Sequence, residues 1–105
     1  MNPIKKSSIT TGKDGFRYKI DVSIEDHEDT DKYPKGVKAV FKLIRLDIND
    51  EGETELVVLI DNHKPFGFHS HDKLPENHDY REPLHLDDYN LAWSIFQAKC
   101  REILK

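Results

Sequence analysis

From Phe16 the chain alternates. Phe16, Tyr18, Ile20, Val22 and Ile24 are apolar, and Arg17, Lys19, Asp21, Ser23 and Glu25 stand between them. Alternation of this kind marks a strand with one buried face, because successive strand side chains point to opposite sides. A second strand is expected from Val37 to Ile48, with a change of phase inside it. Val37, Ala39, Phe41 and Leu43 share one face, whereas Ile44, Leu46 and Ile48 share the other. A bulge gives such a switch, as does a strand covered on both faces, for instance by a second copy of the chain. Asn49-Asp50-Glu51-Gly52-Glu53 has the composition of a hairpin loop. A third strand follows over Thr54 to Asp61. Its centre, Leu56-Val57-Val58-Leu59-Ile60, is apolar without interruption, as in a central strand buried on both sides. His63-Lys64-Pro65 turns the chain. Phe66 and Phe68 then alternate with Gly67 and His69, which predicts a short fourth strand reaching about His71.

Residues 72–86 contain Pro75 and Pro83 and read as an irregular excursion. A helix should follow, with Asp87 or Asp88 as its N-cap. Capping by Asp87 places Leu86 and Leu91 at the positions of a hydrophobic staple. Tyr89, Ala92, Trp93, Phe96, Cys100 and Ile103 recur at helical spacing. Lys99, Arg101 and Lys105 sit near the negative end of the helix dipole. Residues 1–15 are polar and read as a loose lead-in. The expected class is α+β, a four-stranded antiparallel meander with a C-terminal helix packed on one face.

Length and composition narrow the setting. A chain of 105 residues is a single domain with one modest core. The apolar residues, 36% of the chain, are bunched into periodic segments, unlike those of a disordered polymer. The formal charge of −4 argues against a general nucleic-acid binder, which needs a basic face. It leaves room for a small RNA-directed site. Asp21, Glu25, Asp26, Glu28, Asp29 and Asp31 form an acidic run that reads as a solvated loop. Within it Asp29, Asp31 and Tyr33 resemble the start of a calcium loop, but that pattern's glycine and closing glutamate are missing. The single cysteine, Cys100, excludes an intramolecular disulfide. The N-terminus has no signal-type apolar region, and no apolar run approaches the roughly 18 residues of a membrane span. A cytoplasmic protein without membrane partners is expected.

The chemistry gathers in residues 61–85, which hold five of the six histidines. On a strand His69 and His71 point the same way and Phe66 and Phe68 the other. If the phenylalanines face the helix, the histidines lie on the open side of the sheet. Three readings fit the pair. They could supply two ligands to a divalent metal such as zinc, with Asp61, His63 or Asp72 completing the shell. They could act as general acid and base, as metal-independent RNA cleavage requires. Or they could be exposed polar residues with no further role. Arg81 could clamp a phosphate, although beside Glu82 it also suits a surface ion pair. Tyr80 could stack on a base or cover the sheet edge. Cys100 falls on the apolar stripe of the helix, without a histidine partner to activate it.

Several of these features recur together in one known family. An apolar strand ends in Asp61-Asn62, a short gap leads to His69-Ser70-His71, Arg81-Glu82-Pro83-Leu84 follows, and the final helix carries Phe96 near its middle. Over residues 57–104 this resembles the TumE-type toxins of bacterial toxin–antitoxin modules. The chain departs from that pattern in carrying one histidine, His63, where paired histidines are frequent. Its approach to the His-x-His is Lys-Pro-Phe-Gly-Phe instead of proline-rich. Asp61, Asn62, His69 and His71 carry over by position as the catalytic set, and Glu82 carries over as a substrate-binding candidate beside Arg81 and Tyr80. The resemblance implies a small cytoplasmic growth-inhibiting toxin, a helix-turn-helix antitoxin as partner and an RNA-directed activity. Two other readings remain open beside it. One is a metal-binding domain. The other is an interaction module, a homodimer included, pairing through the mixed faces of the second and third strands.

Overall fold

The computed structural model describes residues 3–28, 36–62, 68–71, 74, 76–77, 81–84 and 89–105, with Tyr89 described by its backbone alone. The class is α+β, as expected, but the sheet has six strands instead of four. They are β1 (Ile4–Thr11), β2 (Arg17–Asp26), β3 (Val37–Arg45), β4 (Glu55–Asp61), β5 (His69–Ser70) and β6 (Glu82–Pro83). All neighbours are antiparallel and the order across the sheet follows the chain. One helix, α1 (Tyr89–Leu104), closes the chain and packs against β3 and β4.

The two added strands correct the expectations for both flanks. Residues 1–15 hold β1, which pairs with β2 along its whole length. Every residue of β1 is exposed, so no buried face writes an alternating pattern into it. Its backbone pairing alone makes it a strand. The excursion over 72–86 likewise contains β6, paired with β5. Pro83 fits there because β6 is the outer edge of the sheet among the described residues, where a missing N–H leaves no neighbour unserved.

Elsewhere the periodicities hold, except that β3 ends at Arg45, short of the expected Ile48. Tyr18, Ile24, Ala39, Phe41, Leu43, Val58 and Ile60 form the helix-side core with Phe68, Ala92, Phe96 and Cys100. Phe41 contacts Trp93 edge-on, with ring centroids 5.6 Å apart, and leans on Phe96 at 5.7 Å. The phase switch in β3 is a register irregularity between Leu43 and Ile44. Val58, Leu59 and Ile60 are buried on both faces of β4, as its unbroken apolar run requires. The Asn49 carboxamide oxygen accepts from the amides of Glu51 and Glu53, closing the hairpin between β3 and β4. The expected cap and staple residues 86–88 lie outside the described residues, and Leu91, the other half of the staple, is exposed. Burial pushes the Cys100 thiol up to about 11, consistent with a packing role.

The β1–β2 turn ties the two ends of the fold together. Lys13 donates its backbone N–H to the Leu104 carbonyl and its ammonium to the Glu102 carbonyl. Both oxygens belong to the last turn of α1, which has no helical donors of its own to offer them. Gly15 takes φ 86° in this turn. Tyr18 is fully buried beneath it, and its hydroxyl lies 2.5 Å from Asp14 Oδ2 and accepts from Arg45 Nε at 2.9 Å. The bond from Tyr18 holds the Asp14 carboxyl below its usual range.

A Cβ added at Gly12 would lie 2.6 Å from a carbon of the Tyr18 ring. That ring is buried and anchored at its hydroxyl, so it cannot step aside. Gly12→Ala is therefore expected to cost about 1–3 kcal/mol, the range for overpacking, as measured by urea unfolding. A variant within about 0.5 kcal/mol of the parent would show that the turn relaxes freely.

Candidate functional site

Asp61 is the last residue of β4, and register places it directly across from His69 on β5. Directly paired residues share a face of the sheet. Ile60 pairs with Ser70 on the helix side, so Asp61 and His69 occupy the other side. His71 continues in the same phase, its N–H donating to the Leu59 carbonyl at 3.0 Å. The alternation expected from the sequence thus stands: Phe68 enters the helix-side core and the two imidazoles face away from it.

The pair converges on one carboxylate. His69 Nε2 is 2.8 Å from Asp61 Oδ1, and His71 Nε2 is 3.8 Å from Asp61 Oδ2. The imidazole rings lie 5.0 Å apart, tilted by 57°. The first contact is a charge-assisted hydrogen bond; the second is too long for one. An ionised carboxylate only accepts, so the proton of that bond sits on His69 Nε2, and Nδ1 is the acceptor in the neutral ring. Among the described residues these three form the one group whose donor atoms, all within 4.8 Å of one another, suit a metal ion.

One expectation is corrected. The histidines face away from the helix, yet they are not open to solvent. His69 is 1% exposed and His71 4%. β5 lies between β4 and β6, with Asp61 on one side of His69 and Pro83 on the other. Asp61 keeps 21% of its side chain exposed, so the centre meets solvent at the carboxylate.

Asn62, beside Asp61, has a different task. Its carboxamide oxygen accepts from the Ala39 N–H at 3.0 Å and its nitrogen donates to the Val37 carbonyl at 2.7 Å. The side chain extends the β3–β4 ladder past the end of the strand and fixes where Asp61 stands. Glu82 pairs with Ser70, which puts it on the opposite face from His69. Arg81 is half-buried just before β6. His63, Asp72, Tyr80, His78 and His85 lie outside the described residues.

Sequence reasoning missed what adjoins the centre. Asp61 pairs with Val40, Val40 with Ser23 and Ser23 with Lys5. In the next row Leu59 pairs with Lys42, Lys42 with Asp21 and Asp21 with Ser7. The side away from the helix therefore carries lysines and hydroxyls leading up to the histidines. The alternation that reveals a buried face gives its polar positions no ranking, and only register aligns them. No family model matches the chain, and no curated protein or solved structure matches it either. No helix among the described residues is long and apolar enough to cross a membrane.

Asn62→Ala strips partners from two backbone groups of β3 at a buried position. It should lower the unfolding free energy by about 2 kcal/mol, read from denaturant midpoints at constant m-value. No measurable change would assign the clamp to some other group.

Proposed function

We propose that this chain is a toxin-like, RNA-directed protein whose reacting groups are Asp61, His69 and His71. The observation that carries the reading is the convergence of two imidazoles on one carboxylate, beside a sheet face lined with lysines. Asp61 orients His69 and stabilises the imidazolium formed when the ring takes the proton of a ribose 2′-hydroxyl. The 2′-oxygen then attacks the adjacent phosphorus. His71, protonated, delivers its proton to the departing 5′-oxygen. The products are a 2′,3′-cyclic phosphate and a 5′-hydroxyl, with no metal or outside reactant consumed. Substrate reaches the centre on the exposed side of Asp61. Asn62 acts in this scheme by holding Asp61 in place, and a cytoplasmic setting with a helix-turn-helix antitoxin partner follows from the same reading.

The test is expression without a partner, together with cleavage of purified RNA by the isolated protein. His69→Ala with His71→Ala should restore growth and reduce cleavage by about 10²- to 10⁴-fold, the usual worth of positioned acid–base groups. Growth inhibition that survives in the double variant would remove the histidines from the mechanism.

A second reading rests on the spacing of the three donor atoms. Two imidazole nitrogens and a carboxylate oxygen within 4.8 Å are a ligand set for zinc or a similar ion, with one position left for water or substrate. In that case protein purified without a histidine tag should carry one equivalent of metal, and chelator should lower its Tm through loss of the bound ion. Metal-free protein with the same Tm in chelator would end this alternative.

A further inference from the structure

The sheet face beside the centre forms a groove of about 490 Å³ whose lining includes Lys5, Ser7, Asp21, Ser23, Lys38 and Lys42, with Val40 between them. Val40 is the residue that pairs with Asp61, so the groove runs up to the reacting carboxylate. Lys42 pairs with Leu59, whose carbonyl accepts from the His71 N–H, so Lys42 and His71 are two strand spacings apart, about 10 Å.

The charges in the groove are not equivalent. Lys5 is paired with Glu25 at 3.3 Å, and Asp21 is engaged by Lys19 at 3.6 Å and by the Ser7 hydroxyl. Asp21 lies opposite Lys42 in register, but Lys19 and Ser7 hold it. Among the described residues no carboxylate lies within ion-pair distance of the Lys42 ammonium. A half-buried cation in a concave, hydroxyl-lined surface gains most from a ligand that brings anionic oxygens.

We propose that this groove is the track on which the phosphodiester backbone of single-stranded RNA lies as it enters the Asp61–His69–His71 centre, with Lys42 as the phosphate contact nearest to it. The inference rests on the RNA-directed reading and adds to it the binding surface and its principal cation. Lys42 is a positioning residue. It touches a phosphate next to the reacting one and takes no proton. The serines add neutral donors. An acidic chain can bind a polyanion this way because the interaction is screened within about 10 Å and depends on local charge.

The experiment is fluorescence anisotropy with a labelled 2′-O-methyl oligoribonucleotide, which cannot be cleaved through its 2′-oxygen, titrated with the full-length protein at several salt concentrations. Lys42→Glu is expected to weaken binding about tenfold or more and to reduce the slope of log K against log salt by about 0.7, one single-strand phosphate contact. Lys42→Gln, which keeps most of the stem, should lose the same slope and less affinity. Arg101→Glu, an exposed change on α1, serves as the charge control and should bind within about twofold of the parent. Equal binding by the parent and both Lys42 variants, or an equal loss with Arg101→Glu, would overturn the track. The His69→Ala, His71→Ala protein separates the two ideas. If it binds normally but no longer cleaves, both stand; if it still cleaves while Lys42→Glu loses binding, the centre is wrong and the track remains.

Discussion

Everything distinctive in this fold depends on the register of β4 against β3. Val40 pairs with Asp61 and Leu43 with Val58, and the irregularity between Leu43 and Ile44 absorbs the mismatch beyond them. A slip of one residue would turn Ile60 and Val58 out of the core and Asp61 into it. Two devices oppose that slip. The bulge confines any shift to the far end of the strand, and the Asn62 carboxamide bonds both Ala39 and Val37 at the near end. With β4 pinned, β5 follows, because among the described residues it pairs with β4 through Ile60–Ser70 and Asp61–His69. The Asp–His–His geometry is therefore a consequence of sheet register as much as of the side chains themselves.

The same geometry is costly for stability. Two imidazoles and part of a carboxylate are taken from water on the side of the sheet that lacks the helix, where an apolar trio of similar volume would fold at least as well. The rest of the chain offsets that cost. Phe41, Trp93 and Phe96 pack as an aromatic cluster against β3, and Tyr18 is held by Asp14 and Arg45 at the other end of the sheet. Violations of simple core logic tend to collect where function needs them. In this chain they collect around Asp61.

The sequence made the middle of this fold readable and hid its margins for one reason. Periodicity reports burial, and only strands with one dry face carry it. The alternation from Phe16 to Ile24 and the apolar run from Leu56 to Ile60 face the core, so their phase could be read directly. The switch at Leu43–Ile44 was visible for the same reason. β1 has no buried residue and β6 is two residues long, so neither has a pattern to betray it. The site divided along the same line. The facing of His69 and His71 followed from their two-residue spacing, whereas their burial has no counterpart in that spacing. Asn62 stood out beside Asp61 as chemistry, but its bonds to Ala39 and Val37 belong to residues more than twenty positions away.

Net charge is a poor guide to such a surface. The chain carries −4 overall, which by itself speaks against a polyanionic ligand. Charge acts over a Debye length, and the sheet sorts it on a finer scale. Along β2 two acids have local claimants: Lys5 holds Glu25, and Lys19 holds Asp21. Those pairs neutralise one another and contribute little field, as exposed ion pairs generally do. What remains on that side is the cation with no such partner among the described residues, Lys42, one strand from Leu59 and two from His71. The relevant quantity for a ligand approaching Asp61 is thus the potential between Lys42 and the histidines, and the register that builds the centre also sets that distance.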